Sequence, residues 1–313
     1  MDMADEGDPS TSDDEQVVSN AAFALLGHQV RLDILRAFFD SYDPVDPDSR
    51  DDVRADRTRS YSELMASVGL RDSGKFNYHL EKLRGVYVEQ VEDGYVPTAS
   101  AVALYQAVVA NRPTESVAVD VDIDTPCPAC GADLTWGYEQ EYLTIECESC
   151  EQFWGLTYRF PKNGLLTQDA EDVYEALYDR LMHHVGLART GQCPACAGVV
   201  ERTIPPSRLD GSATPTVELD CGTCSWHATV DIVSALQFEP RVMRALFELG
   251  IPLDSGTQAT EEVLPTVTGR EAEESTHATI EIATDEGTAT VIVDETLGVE
   301  RVEVDGETGS SAR

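Results

Sequence analysis

The chain has 313 residues, of which 58 are acidic and 22 basic, for a net charge of −36. That length admits two or three small domains, and an apolar share of 42% suffices for packed cores, so wholesale disorder is excluded. No apolar run approaches the ~18 residues that span a bilayer and no basic-then-apolar leader opens the chain, so a membrane role is excluded and a cytoplasmic location is expected.

Only three lysines occur, Lys75, Lys82 and Lys162. Acidic residues with so little lysine suit a halophilic cytoplasm of molar salt. At ~1 M the Debye length is ~3 Å, and carboxylates several ångströms apart hardly repel one another.

Residues 1–16 carry seven carboxylates and no base, and they read as a disordered acidic tail. Residues 17–112 read as one domain. Asn20 is a candidate N-cap for a helix through Ala21–Leu26, and a second helix fits Gln29–Phe39, where Val30, Ile34, Leu35 and Phe38 recur at helical spacing. Asp40–Arg59 is charged and Pro-containing, a surface loop. Tyr61–Val68 and a Gly69 break precede a helix from Ser73 to Arg84. Val86–Val91 and Tyr95–Pro97 flank Glu92-Asp93-Gly94, a hairpin signal, and Thr98–Asn111 closes with a helix. Helices, hairpin and closing helix make a winged helix-turn-helix order.

In the helix from Ser73, Phe76, Leu80 and Leu83 share one face at about 100° per residue. Gly74, Lys75, Tyr78 and Lys82 lie opposite, flanked by Asn77 and His79. Arg71–Arg84 holds four basic residues against Asp72 and Glu81, a local excess of positive charge in a chain at −36. Amines suit phosphates and guanine edges, and Asn pairs bidentately with adenine. Ser73, Lys75, Asn77, Tyr78, His79 and Lys82 are therefore the candidate contacts to double-stranded DNA.

All eight cysteines fall in four Cys-x-x-Cys pairs: Cys127/Cys130, Cys147/Cys150, Cys193/Cys196 and Cys221/Cys224. Each pair aims two thiolates at one point, so two pairs supply the four ligands of a tetrahedral ion. Two structural zinc ions follow; a rubredoxin-like iron site and a thiol-based redox or metal sensor remain open. The first ribbon, within residues 120–165, has strand candidates Leu134–Tyr138, Glu141–Glu146 and Phe153–Tyr158. Residues 169–253 hold an amphipathic helix over Asp169–His184 with Gly186 as its stop, the second ribbon, and a short helix from Pro240 to Gly250. Cys127-Pro128-Ala129-Cys130 and Cys193-Pro194-Ala195-Cys196 form a weak repeat, and Trp154 and Trp226 follow the later pairs. His183 and His184 suit the dipole of a helix end, and His227 a packing role, better than metal. Residues 254–313 are β-rich: after a loosely patterned stretch to 276, Ala278–Ala283, Thr288–Val293 and Val299–Val304 alternate as a meander, and the last residues fray.

Leu25-Leu26-Gly27-His28-Gln29-Val30-Arg31-Leu32-Asp33-Ile34-Leu35 resembles the opening of the ArsR-like family of winged helix-turn-helix transcription regulators. Ser73-Gly74-Lys75-Phe76-Asn77-Tyr78-His79-Leu80-Glu81-Lys82-Leu83 resembles that family's recognition helix, with Tyr87–Pro97 as the wing. Cys-x-x-Cys pairs after such a domain look like regulators of halophilic archaea. The resemblance implies a homodimer joined through the first helix and Thr98–Asn111. Two departures stand out. The wing has Glu89, Glu92 and Asp93 but no base, and Tyr61-Ser62-Glu63-Leu64-Met65 lacks the cysteines of the family's metal sensors. A winged helix beside a zinc ribbon also resembles archaeal transcription factor E, which would make RNA polymerase the partner. No phosphate loop, dinucleotide motif, serine elbow or His-Glu-x-x-His proposes a catalytic centre, so an enzyme is not expected.

The expected architecture is α+β: an N-terminal winged helix-turn-helix, two zinc-ribbon-like four-cysteine modules and a small C-terminal β-meander. Its expected function is sequence-specific, DNA-binding transcription regulation. The alternatives are a polymerase-associated factor and a protein-interaction or redox-sensing module without DNA binding.

Overall fold

A computed structural model describes residues 20–40, 57–127, 130–150, 156–209, 214–251, 265–271 and 277–305. The acidic tail, most of the loop before Arg59, Trp154 and the last residues lie outside them. The chain is mixed α+β, with small antiparallel sheets, and divides into two compact units, Met1–Pro113 and Thr114–Arg313. No helix among the described residues is long and apolar enough to cross a membrane.

The first unit runs α1 (residues 20–26), α2 (Gln29–Ala37), α3 (Tyr61–Val68), α4 (Ser73–Leu83), β1 (Val88–Val91), β2 (Gly94–Pro97) and α5 (Ala99–Asn111). Local chemistry sets these boundaries. His28 caps α2, its Nδ1 accepting from Val30 N at 3.2 Å. Ser60 and Glu63 close a reciprocal capping box on α3, and Gly69, at φ +68, ends that helix in the left-handed conformation that favours glycine. Asp72 caps α4 by accepting from Lys75 N at 3.0 Å. The Tyr61 hydroxyl donates to Ser73 O at 2.9 Å, tying the start of α3 to the start of α4.

Ile34, Phe38, Leu64, Phe76, Leu80, Leu83 and Val88 form the centre of this unit, each at most 1% exposed. Burying each large side chain contributes about 1.5–3 kcal/mol. β1 and β2 pair antiparallel around Glu92-Asp93. Arg59 bridges the other edge of the hairpin at Tyr95, and a Cβ at Gly94 would collide with the Arg59 carbonyl. α5 carries no charged residue; Ala101 is buried, while Val108 and Val109 are exposed.

Among the described residues the second unit holds three antiparallel sheets. β3 (Val119–Pro126), β4 (Asp133–Glu139), β5 (Tyr142–Glu146) and β6 (Leu156–Arg159) pair in sequence order. After α6 (Lys162–Thr167) and α7 (Ala170–Ala188) come β7 (Val200–Thr203), β8 (Thr216–Cys221) and β9 (His227–Asp231), again in order. Then follow α8 (Ile232–Leu236), α9 (Pro240–Glu248) and a third sheet of β10 (Thr266–Glu271), β11 (Ala278–Thr284), β12 (Gly287–Val293) and β13 (Val299–Asp305).

One hydrophobic core runs through all three sheets, so the segments that sequence separates share their buried side chains. α7 supplies Val173, Leu177, Leu181, Val185 and Ala188 on one stripe. β3, α6, α8 and β10 were not expected. Gly186 does not stop α7, which continues to Ala188. A Cβ at Gly186 would lie 3.0 Å from the Phe238 ring, so the glycine is there for close packing rather than for termination.

Candidate functional site

The second unit gathers the eight cysteines into two groups, Cys127/Cys130/Cys147/Cys150 and Cys193/Cys196/Cys221/Cys224. Within each group all sulfurs lie within 4.8 Å of one another. In the first, Cys127–Cys150 is 3.7 Å, Cys130–Cys147 3.6 Å and Cys147–Cys150 3.8 Å. In the second, Cys193–Cys224 is 3.6 Å, Cys196–Cys221 3.6 Å and Cys221–Cys224 3.8 Å. A tetrahedron of sulfurs about 2.3 Å from zinc has edges of about 3.8 Å, so both groups fit one ion each. Four-sulfur tetrahedra suit zinc and iron alike.

The turns explain how the chain builds this geometry. Cys127 N donates to Ala132 O and Gly131 N to Cys127 O; Cys193 N donates to Gly198 O and Ala197 N to Cys193 O. The repeat seen in sequence is thus a repeat of backbone hydrogen bonds. In the third turn Cys221 N donates to Trp226 O at 2.9 Å. The residue after the second cysteine is left-handed each time: Gly131 at φ +75, Ala197 at φ +61 and Ser225 at φ +54. Backbone N–H groups also point at sulfur, Gly198 at Cys196 and Thr223 at Cys221, both at 3.4 Å. As free thiols the members of this group part: the amides of Cys224 and then Thr223 draw Cys221 down to about 6, while burial first pushes Cys224 up to about 12.

Glycine adopts the left-handed region without the steric cost, about 1 kcal/mol, that alanine meets there. Ala197→Gly is therefore expected to raise the unfolding free energy of the metal-loaded protein, by about 0.5–1 kcal/mol. Gly131→Ala is expected to lower it by a similar amount. Equilibrium denaturation of both variants checks the pair of signs.

None of the three nearby histidines joins a group. His227, exposed, sits 2.9 Å from Asp220. His183 Nδ1 is 2.7 Å from Asp179 O. His184 Nδ1 is 2.5 Å from the Tyr158 hydroxyl, and burial first, then Arg180 and His183, push its pKa down to about 4. α7 continues past both, so neither sits at the helix end that the dipole argument requires.

On α4 of the first unit, Ser73, Lys75, Asn77, Tyr78 and Lys82 are all exposed. Lys82 Nζ lies 5.7 Å from the centre of the Tyr78 ring, and Arg84 is held by Glu81 at 2.7 Å. His79 departs from the set: it is 5% exposed and packs on the His28 ring, centroid to centroid 4.0 Å. Three residues after Phe76 and four before Leu83, it belongs to the inward stripe. Burial first, and then the charges of His28, Arg31 and Lys75, lower its pKa, so the neutral ring is favoured. Glu89, Glu92 and Asp93 are exposed on the hairpin.

A family model described as Domain of unknown function (DUF7351) matches residues 124–299, more than half the chain, and spans both cysteine groups. A second, Domain of unknown function (DUF7347), matches residues 19–108, the helical unit. No curated protein and no solved structure matches the chain.

Proposed function

For a chain that belongs to the family described as Domain of unknown function (DUF7351), whose description assigns no activity, we propose a function from the geometry. It is a sequence-specific DNA-binding transcription regulator of the winged helix-turn-helix class, with an ArsR-like N-terminal unit and a second unit held by two structural zinc ions. The observation that carries this reading is the exposed surface of α4. Five polar side chains face outward there, including two of the three lysines in a chain at −36. An acidic protein repels DNA unless positive charge is concentrated where contact occurs.

Asn77 and the lysines offer base and phosphate contacts, and Tyr78 offers an amphipathic ring. α3, the Gly69 turn and α4 supply the helix-turn-helix, with β1 and β2 as the wing. The uncharged α5 supports a homodimer. Four thiolates close each metal's coordination shell and leave no position for a reacting water, which supports a non-catalytic role.

One observation favours a second reading. Glu89, Glu92 and Asp93 make the wing unsuited to phosphate, and this supports a polymerase-associated factor whose wing meets protein. Copurification with RNA polymerase at no particular promoter distinguishes that reading.

Selection of genomic DNA fragments in ~2 M KCl tests the first reading, because salt decides what such binding means. A palindromic motif is expected from the native chain. Lys75→Ala with Tyr78→Ala changes only exposed side chains and should fold normally. It is expected to lose about 2–6 kcal/mol of binding, since each of the two contacts contributes about 1–3. Full affinity in the folded double variant sinks the assignment of α4.

A further inference from the structure

A short chain of hydrogen bonds runs from the second cysteine group to β6, in the sheet that carries the first. Trp226 closes the second centre's turn, its carbonyl accepting from Cys221 N at 2.9 Å. Its indole Nε1 donates to the Tyr158 hydroxyl at 3.2 Å. Indole N–H only donates, so the hydroxyl oxygen accepts there, and the same hydroxyl pairs with His184 Nδ1, 2.5 Å away. Tyr158 is 7% exposed and sits on β6, paired with Leu143 of β5. β5 ends at Glu146, immediately before Cys147, and the first centre's Cys147 and Cys150 lie between β5 and β6.

An ion at the first centre therefore fixes the end of β5, against which β6 is paired. β6 fixes Tyr158, and Tyr158 fixes the residue whose carbonyl closes the second centre. His184 holds the hydroxyl from the long helix α7. Cys127, Cys193 and Cys221 are buried in the same core, so neither centre relaxes without disturbing shared packing.

We propose that the Tyr158–Trp226 hydrogen bond, steadied by His184, couples the two metal centres so that they load and release as one unit. Tyr158 is thus a positioning residue for a centre to which it contributes no ligand. The inference rests on both cysteine groups binding metal, and the experiment separates the two claims.

The zinc-loaded full chain is mixed with excess chelator and the released zinc is followed with time. The native protein is expected to give up two equivalents in a single phase. Tyr158→Phe is expected to give two phases, the faster about tenfold quicker, which corresponds to one net hydrogen bond. Trp226→Phe cuts the same link from the other side and should give the same two phases, so the result does not hang on the folding of one variant. His184→Asn leaves the Tyr158–Trp226 link and offers the Tyr158 hydroxyl an amide in place of the imidazole Nδ1, so it should keep one phase. Two independent phases in the native protein, or one unchanged phase in both Tyr158→Phe and Trp226→Phe, overturns the coupling alone. Protein that folds and binds no zinc overturns the metal reading beneath it.

Discussion

Removing the metal is expected to unfold the sheet of β7, β8 and β9 and to lower the stability of the whole second unit. Cys193 and Cys221 are 1% and 6% exposed and belong to its core, where four unligated thiols leave turns without a closing force. Structural zinc in small domains contributes about 10–16 kcal/mol of apparent binding energy near neutral pH, comparable with the 5–15 kcal/mol by which a domain is stable at all. Cys193→Ser with Cys196→Ser is expected to lose metal and to drop the melting temperature of this unit by more than about 10 °C. The third sheet, with Ile280, Ile282, Val291 and Val293 fully buried, should keep some protection. Amide hydrogen exchange with and without chelator reads this directly. Equal protection of β7–β9 in both conditions contradicts a structural role for the ion.

Leu80→Asp is the second large effect. Leu80 is 0% exposed and belongs to the apolar cluster of Ile34, Phe38, Phe76 and Leu83. Loss of the leucine alone costs about 2–5 kcal/mol, and the buried charge adds several more, which together exceed what a unit of this size holds in reserve. Calorimetry of the full chain is expected to lose the transition of the first unit while that of the second persists. A native-like first transition contradicts the placement of α4. Lys75→Ala, one turn from Leu80 but exposed, should leave both transitions in place.

What sequence reveals here follows the range of each interaction. Cys-x-x-Cys spacing encodes a turn locally, and grouping neighbouring pairs needs only their order, so both four-cysteine groups are legible. The capping box at Ser60 and Glu63 and the period of Phe76, Leu80 and Leu83 are equally local. His79 is different. Its angle on the helix is readable, but a polar ring counts as surface until His28 is seen packed against it. Gly186 reads as a stop because glycine usually ends helices, and only the Phe238 ring, 52 positions later, gives the other reason. β3 carries a period-two pattern, Val119, Val121 and Ile123 alternating with aspartates, and that signal could have found it behind the acidity. Lys162 is buried beside Glu141 at 3.4 Å in α6, and no local pattern foretells an ion pair across a fold.

α5 places a run without a single charge in a chain where one residue in four is charged. Excluded salts such as sulfate and phosphate strengthen the burial of apolar surface, whereas rising salt weakens contacts to nucleic-acid phosphates. If the proposed reading holds, with association through α5 and DNA binding through α4, the two would respond to such salts with opposite sign. Affinity for DNA would pass through a maximum as salt rises, instead of falling steadily, and its position would report the balance between the two helices.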